Sequence, residues 1–151
     1  MKKRKIYFFV ALAITLITII LLVTGSSILL ISVDEKGNLP IGNLITWAGM
    51  IALPCAIYYG IDSFNSPQGK WQHFLSKLLK TIIILAILWV PVSFLLSGNL
   101  SFTFSQKPDF QGGQLAMKIF WIYSYSVTIG ALSIIILHWV SILVNKIMDK
   151  K

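Results

Sequence analysis

The amino-acid sequence predicts an all-α membrane protein: a bundle of about four transmembrane helices, with a short amphipathic helix at the membrane surface between the second and third. Three observations lead there. The 151 residues are 56% apolar and only 12% charged, about half the ~25% charge of a soluble domain. A mean hydropathy of +0.81 reflects apolar residues gathered into long runs. The basic residues stand at the ends of those runs, where topology signals belong.

The first span is predicted over 6–31. It follows Lys2, Lys3, Arg4 and Lys5 and is apolar apart from Thr15, Thr18 and the step Thr24-Gly25-Ser26-Ser27. At ~1.5 Å per residue it reaches ~39 Å, enough to cross a ~30 Å hydrocarbon core with tilt. A basic start before an apolar stretch also describes a secretory signal peptide. The uninterrupted part, Ile6 to Val23, exceeds the ~7–15 residues of a signal core, which favours a retained helix. Residues 32–42 read as a loop, polar at Asp34-Glu35-Lys36 and punctuated by Pro40 and Gly42.

The second span is predicted over 43–61, followed by a turn through Pro67. Residues 70–80 have a different periodicity. Trp71, Phe74, Leu75, Leu78 and Leu79 recur at helical spacing, while Lys70, His73, Lys77 and Lys80 are polar. This is the pattern of a helix in the headgroup plane, with Trp71, Phe74, Lys70, Lys77 and Lys80 as interfacial anchors in contact with lipid. The third span is predicted over 81–97. Pro91 should kink it and free a backbone carbonyl for Ser93 or a neighbouring helix to satisfy. In the loop at 98–114, Leu100, Phe102 and Phe104 alternate with hydroxyl residues, a strand-like period. The fourth span is predicted over 115–144.

Charge orients this layout. One side carries ten basic residues and two acids, the other three of each. By the positive-inside rule the termini and the amphipathic segment are expected in the cytoplasm, with the loops at 32–42 and 98–114 outside. A net charge of +8 can also mark a nucleic-acid binder. Here no helical face carries a basic stripe, so no nucleic-acid partner is expected.

Two sets of small residues are candidate helix-packing or partner-binding positions. Ala48, Ala52, Ala56 and Gly60 repeat at i+4 in the second span, and Ser126, Gly130 and Ser133 share a face of the fourth. Bare faces allow close backbone approach, either within the bundle or to a partner's helix. Phe120, Trp121, Tyr123 and Tyr125 suit an outer aromatic belt. Lone His138, near the cytoplasmic end, is read as a hydrogen-bonding or interfacial residue. Cys55 is read as a small packing residue, because a single thiol cannot form an internal disulfide.

The chain lacks Asp, Glu, Lys or Arg at mid-span, which disfavours ion-coupled transport. No nucleophile–base pair, metal triad or carboxylate pair is evident, so no enzymatic activity and no cofactor is expected. Asn99-Leu100-Ser101 matches a glycosylation sequon, a weak pattern.

The stretch from Leu75 to Tyr123 resembles the membrane immunity proteins that protect bacteria against pore-forming colicins of the A, B and N type. The resemblance is carried by Leu75-Ser76-Lys77-Leu78-Leu79-Lys80, by Phe94-Leu95-Leu96-Ser97, by Ser101-Phe102-Thr103-Phe104-Ser105 with Lys107, and by Ile119-Phe120-Trp121-Ile122-Tyr123. It implies a four-span protein of the bacterial inner membrane with cytoplasmic ends, whose partner is a pore-forming toxin domain. It makes Phe102, Phe104 and Phe110 outer-loop contact candidates. The sequence leaves two other classes open: a small accessory or assembly subunit of a larger membrane complex, and a small transporter.

Overall fold

In the computed structural model, which describes residues 2–33, 39–101, 103–104 and 110–148, the chain forms six helices. These are α1 (Lys2–Thr24), α2 (Ile41–Gly60), α3 (Asp62–Asn65), α4 (Lys70–Ile87), α5 (Trp89–Ser97) and α6 (Gly113–Met148). No strand occurs among the described residues, which include Leu100, Ser101, Thr103 and Phe104 of the alternating segment; Phe102 and Ser105 lie outside them. α1, α2 and α6 are each long and apolar enough to cross a membrane, and α4 with α5 makes a fourth span if the bent pair crosses as one.

α1 stops at Thr24, earlier than the predicted boundary at 31. Gly25 takes a left-handed backbone, φ +59°. The amide of Ser26 donates to the Leu21 carbonyl and that of Gly25 to the Leu22 carbonyl, a Schellman ending that satisfies carbonyls otherwise left open. A 3₁₀ turn, Ser27–Leu30, follows. The apolar run thus continues through a break that hydropathy alone does not register.

The predicted boundary at Lys80 is absent. Residues 70–80 continue without interruption into 81–87 as one helix, because nothing between them removes a donor or clashes with the preceding turn. Leu75 and Leu79 face the core, and Ser76 donates to the Phe64 carbonyl at 2.6 Å. Trp71 and Phe74 stack at 5.7 Å on the exposed side, alongside exposed Lys70 and Lys77. Lys80 is also exposed, its Nζ 5.6 Å from the centre of the Tyr58 ring.

The break lies at Leu88, where α4 and α5 meet with a bend of 48°. Pro91 explains it. Lacking an N–H, its ring leaves the Ile87 carbonyl without its helical donor. Trp47 Nε1 of α2 donates to Ile87 O and to Ala86 O, each at 3.1 Å. Tyr123 of α6 donates to Leu85 O at 2.5 Å. A neighbouring helix therefore satisfies the kink; Ser93 Oγ, fully buried, has no partner among the described residues. Trp47→Phe is expected to cost about 1 kcal/mol, read by denaturant unfolding in detergent. In a double-mutant cycle the cost should shrink in the Pro91→Ala background, where the amide returns.

α2 carries a second proline, Pro54, buried within the helix. α2 is also the central element. Of the apolar window in each helix, 39% is buried in α2, against 17% in α1 and 22% in α6. Most of the large apolar side chains of α1 and α6 face outward, as hydrocarbon surroundings allow. α6 has 36 residues, about 54 Å, and extends at both ends beyond the predicted 115–144.

Charge gathers at one end of the bundle. Arg4 pairs with Asp62 and donates through Nε to the Tyr59 carbonyl at 2.8 Å. Phe64 meets His138 with ring centres 5.0 Å apart. These contacts bring the start of α1, the turn that leads from α2 to Lys70 at the start of α4, and the last turns of α6 with Lys146 together, and Lys118 lies toward the other end.

Candidate functional site

The predicted small-residue stripe of α2 meets α1 within the same chain, through a register that differs from the expected one. Ala52 and Ala56 cluster with Ala11 of α1, with half-buried Cys55 against them. A Cβ on Gly49 would come within 2.4 Å of Thr18 Cγ2, and one on Gly60 within 2.8 Å of Phe8. Ala48 is exposed. The reason is geometric. At ~100° per residue, a strict i+4 row drifts ~40° per step, so Ala48 lies ~120° from Gly60, whereas Gly49 lies only ~20° from it. Gly49, Ala52, Ala56 and Gly60 make the straight stripe. α1 answers with Ala11, Thr15 and Thr18, all buried, a complement the sequence carried at spacings of four and three.

On α6 the buried face is Phe120, Val127, Ala131, Ile134 and His138. Gly130 lies beside it, where a Cβ would sit 3.1 Å from Ile82 of α4. Ser133 is half-buried, and Ser126 is exposed because it points about 100° away from Val127. His138 is 4% exposed, and its Nδ1 has no hydrogen-bond partner within the described residues.

The outer-loop candidates turn toward the bundle. Phe104 adopts φ 57°, an uncommon backbone for a bulky residue, and its ring lies over Gly42: a Cβ there would sit 2.5 Å from Phe104 Cγ. Phe110 is half-buried against the core, 5.7 Å from the Phe120 ring. Phe102 and Lys107 lie outside the described residues. Asn43, 1% exposed at the start of α2, organises this end. Its Nδ2 donates to the Leu100 carbonyl at 2.5 Å, and its Oδ1 accepts from Thr103 Oγ1. Composition gives no hint of this asparagine; only its place in an otherwise apolar segment, as a polar side chain that must find partners, marks it.

Beneath Thr103 and Phe104 opens a cavity of about 340 Å³ between α1, α2 and α6. Met50 and Leu53 of α2 form its floor; Thr15, Thr18, Ile19 and Leu22 form the α1 wall. The α6 wall runs from Phe120 through Ser124 and Thr128 to Leu132, with Trp121 and Tyr125 at the exposed edge. Most of the hydroxyls here are already committed. Thr15 donates to Ala11 O, Thr18 to Ile45 O, Ser124 to Phe120 O and Thr128 to Ser124 O. Trp89 Nε1 donates to Ser124 Oγ at 2.8 Å. Thr46, also in the lining, has an enclosed Oγ1 with no partner among the described residues. Sequence reading did not single out this cavity, since its lining comes from five separate segments.

Fold and site define an all-helical bundle with three helices, or four if the bent pair counts as one, long and apolar enough to cross a membrane, arranged as one central helix, two outward-facing flanks and an apolar cavity between them. Among the described residues no group of three or more potential metal ligands occurs. No family model, no curated protein and no solved structure matches this chain.

Proposed function

We propose that this chain is a bacterial inner-membrane immunity protein that binds and blocks the pore-forming domain of a toxin of the colicin A, B and N type, with both termini cytoplasmic. What carries the proposal is the unequal burial of the spans. α1 and α6 keep most of their apolar surface outward around a more deeply packed α2, so helices of another protein can pack laterally on either flank. The small-residue stripe of α2 is occupied by α1, so partner contact falls to those flanks. The concentration of lysines at one end agrees with a cytoplasmic placement of that end. Capture of a toxin's hydrophobic hairpin needs no chemistry. A Kd of ~1 nM corresponds to ~12 kcal/mol, within reach of helix packing supplemented by loop contacts.

A challenge assay tests this directly. Sensitive bacteria expressing the chain should survive a pore-forming toxin that kills the same cells without it. Unchanged killing by all such toxins, at membrane expression verified by immunoblot, would refute the immunity role. One observation favours a second reading, an accessory subunit of a membrane complex. Phe104 and Phe110 fold onto the bundle, which leaves less of the aqueous loop to meet a toxin and shifts contact into the bilayer. Stoichiometric co-purification with one resident membrane complex, without protection, would support that role.

A further inference from the structure

We infer that the cavity between α1, α2 and α6 is a binding site for one acyl chain of a membrane phospholipid, held with the ester end beside Thr46 and the tail toward Leu53 and Leu132. This goes beyond the immunity reading and does not depend on it.

Size, depth, polarity and access each point the same way. The cavity's 340 Å³ is about twice the ~150 Å³ that suffices for a benzene-sized guest in an apolar protein cavity. Its α6 wall runs over the thirteen residues from Phe120 to Leu132, about 18 Å of helix from first to last. That is close to one leaflet of a ~30 Å hydrocarbon core, so the cavity has the depth of a single lipid chain. The lining is almost wholly apolar, and its hydroxyls are internally bonded, so water entering would find few partners.

Depth orients the guest. Thr46 lies five residues into α2, about 7.5 Å below its start, and lines the shallow end with Thr103 and Phe104. Its hydroxyl is enclosed and presents no surface to the cavity; the ester end belongs here because this is the end nearest the start of α2, where a headgroup has room. Deeper residues, Leu53 and Leu132, offer only hydrocarbon contact. Access is lateral, since Ile19, Trp121 and Tyr125 line the cavity while themselves exposed on faces that meet lipid.

The test uses the full chain in phosphatidylethanolamine–phosphatidylglycerol vesicles doped with phospholipids carrying a photoreactive diazirine. One lipid bears it near the ester, the other near the chain terminus, and labelled residues are mapped by mass spectrometry. Near-ester label is expected on residues around Thr46 and Thr103, and near-terminus label on Leu53 and Leu132, each several-fold above lipid-facing Ile136. Thr46→Phe and Thr128→Phe fill the space and should cut labelling at Leu53 at least fivefold, and at Leu132, which is also exposed at the bundle surface, down to the level of Ile136; Ile136→Phe should change neither. The wild-type ladder of depths needs no variant, so a misfolded filler leaves the test intact. Labelling of Leu53 and Leu132 no greater than that of Ile136, no dependence on diazirine depth, or labelling by a free diazirine fatty acid but not by the phospholipid would each overturn the assignment.

Discussion

Gly49→Leu is expected to lower the unfolding free energy of the detergent-solubilised protein by about 3 kcal/mol, the upper range for overpacking a close contact. Even a Cβ at this position would collide with three atoms of Thr18, the nearest at 2.4 Å. These atoms belong to a β-branched side chain with a restricted χ1, and Thr18 Oγ1 donates to Ile45 O, so it cannot swing aside without losing a hydrogen bond. The collision falls in the most extensive helix–helix contact of the molecule, that of α1 with α2. Displacing α1 there also exposes Ala11, Ala52 and Ala56. Ala52→Leu should act in the same direction to a smaller degree, and Ala48→Leu should be neutral because Ala48 is exposed. Equilibrium unfolding in a mixed detergent series ranks the three. Equal effects of Ala48→Leu and Gly49→Leu would mean that α1 does not pack as described.

Asn43→Leu should cost about 2 kcal/mol and act at the opposite end of the molecule from Arg4. The amide makes two bonds to the segment after α5, one to the Leu100 carbonyl and one with the Thr103 hydroxyl. Its loss strands an acceptor and a donor in a poorly hydrated place, at ~1–3 kcal/mol for each group left unsatisfied, less whatever the loop recovers by moving to water. The consequence is local. Amide hydrogen exchange should rise several-fold from Gly98 to Thr103, with the α1–α2 contact unchanged. Because Phe104 covers Gly42, freeing this segment also uncovers the shallow end of the cavity. Exchange that rises equally throughout α1 would instead show that Asn43 supports the whole bundle.

Several elements were legible from residue patterns alone. The apolar runs marked α1, α2 and α6. Pro91 marked a kink, and the need of its freed carbonyl for a donor on a neighbouring helix followed from the absence of water in hydrocarbon. Other features were legible only in part. The i+4 alanines named the right helix, but the packed stripe runs through Gly49, since a contact between nearly straight helices follows ~3.6-residue spacing and not a strict four. Residues 70–80 have the composition of an interfacial helix, yet only one of their apolar rows packs against the rest of the bundle. Leu75 and Leu79 turn into the bundle, and Trp71 and Phe74 turn outward. Periodicity ranks polarity around a helix without saying which side meets protein and which meets lipid, because both are apolar.

By itself, then, the sequence determined the helical class of this protein, the apolar runs long enough to cross a membrane and the end at which positive charge collects. These follow from additive, local quantities: hydrophobicity summed along a run, and charge counted at its ends. Tertiary structure alone decided that Trp47 and Tyr123 serve the kink, that Asn43 ties down the segment after α5, and that α1 and α6 stand apart to leave a cavity between them. Those outcomes depend on which distant segments meet, and in hydrocarbon, where apolar side chains are soluble on every face, that choice rests on close fit and on hydrogen bonds between residues up to 60 positions apart.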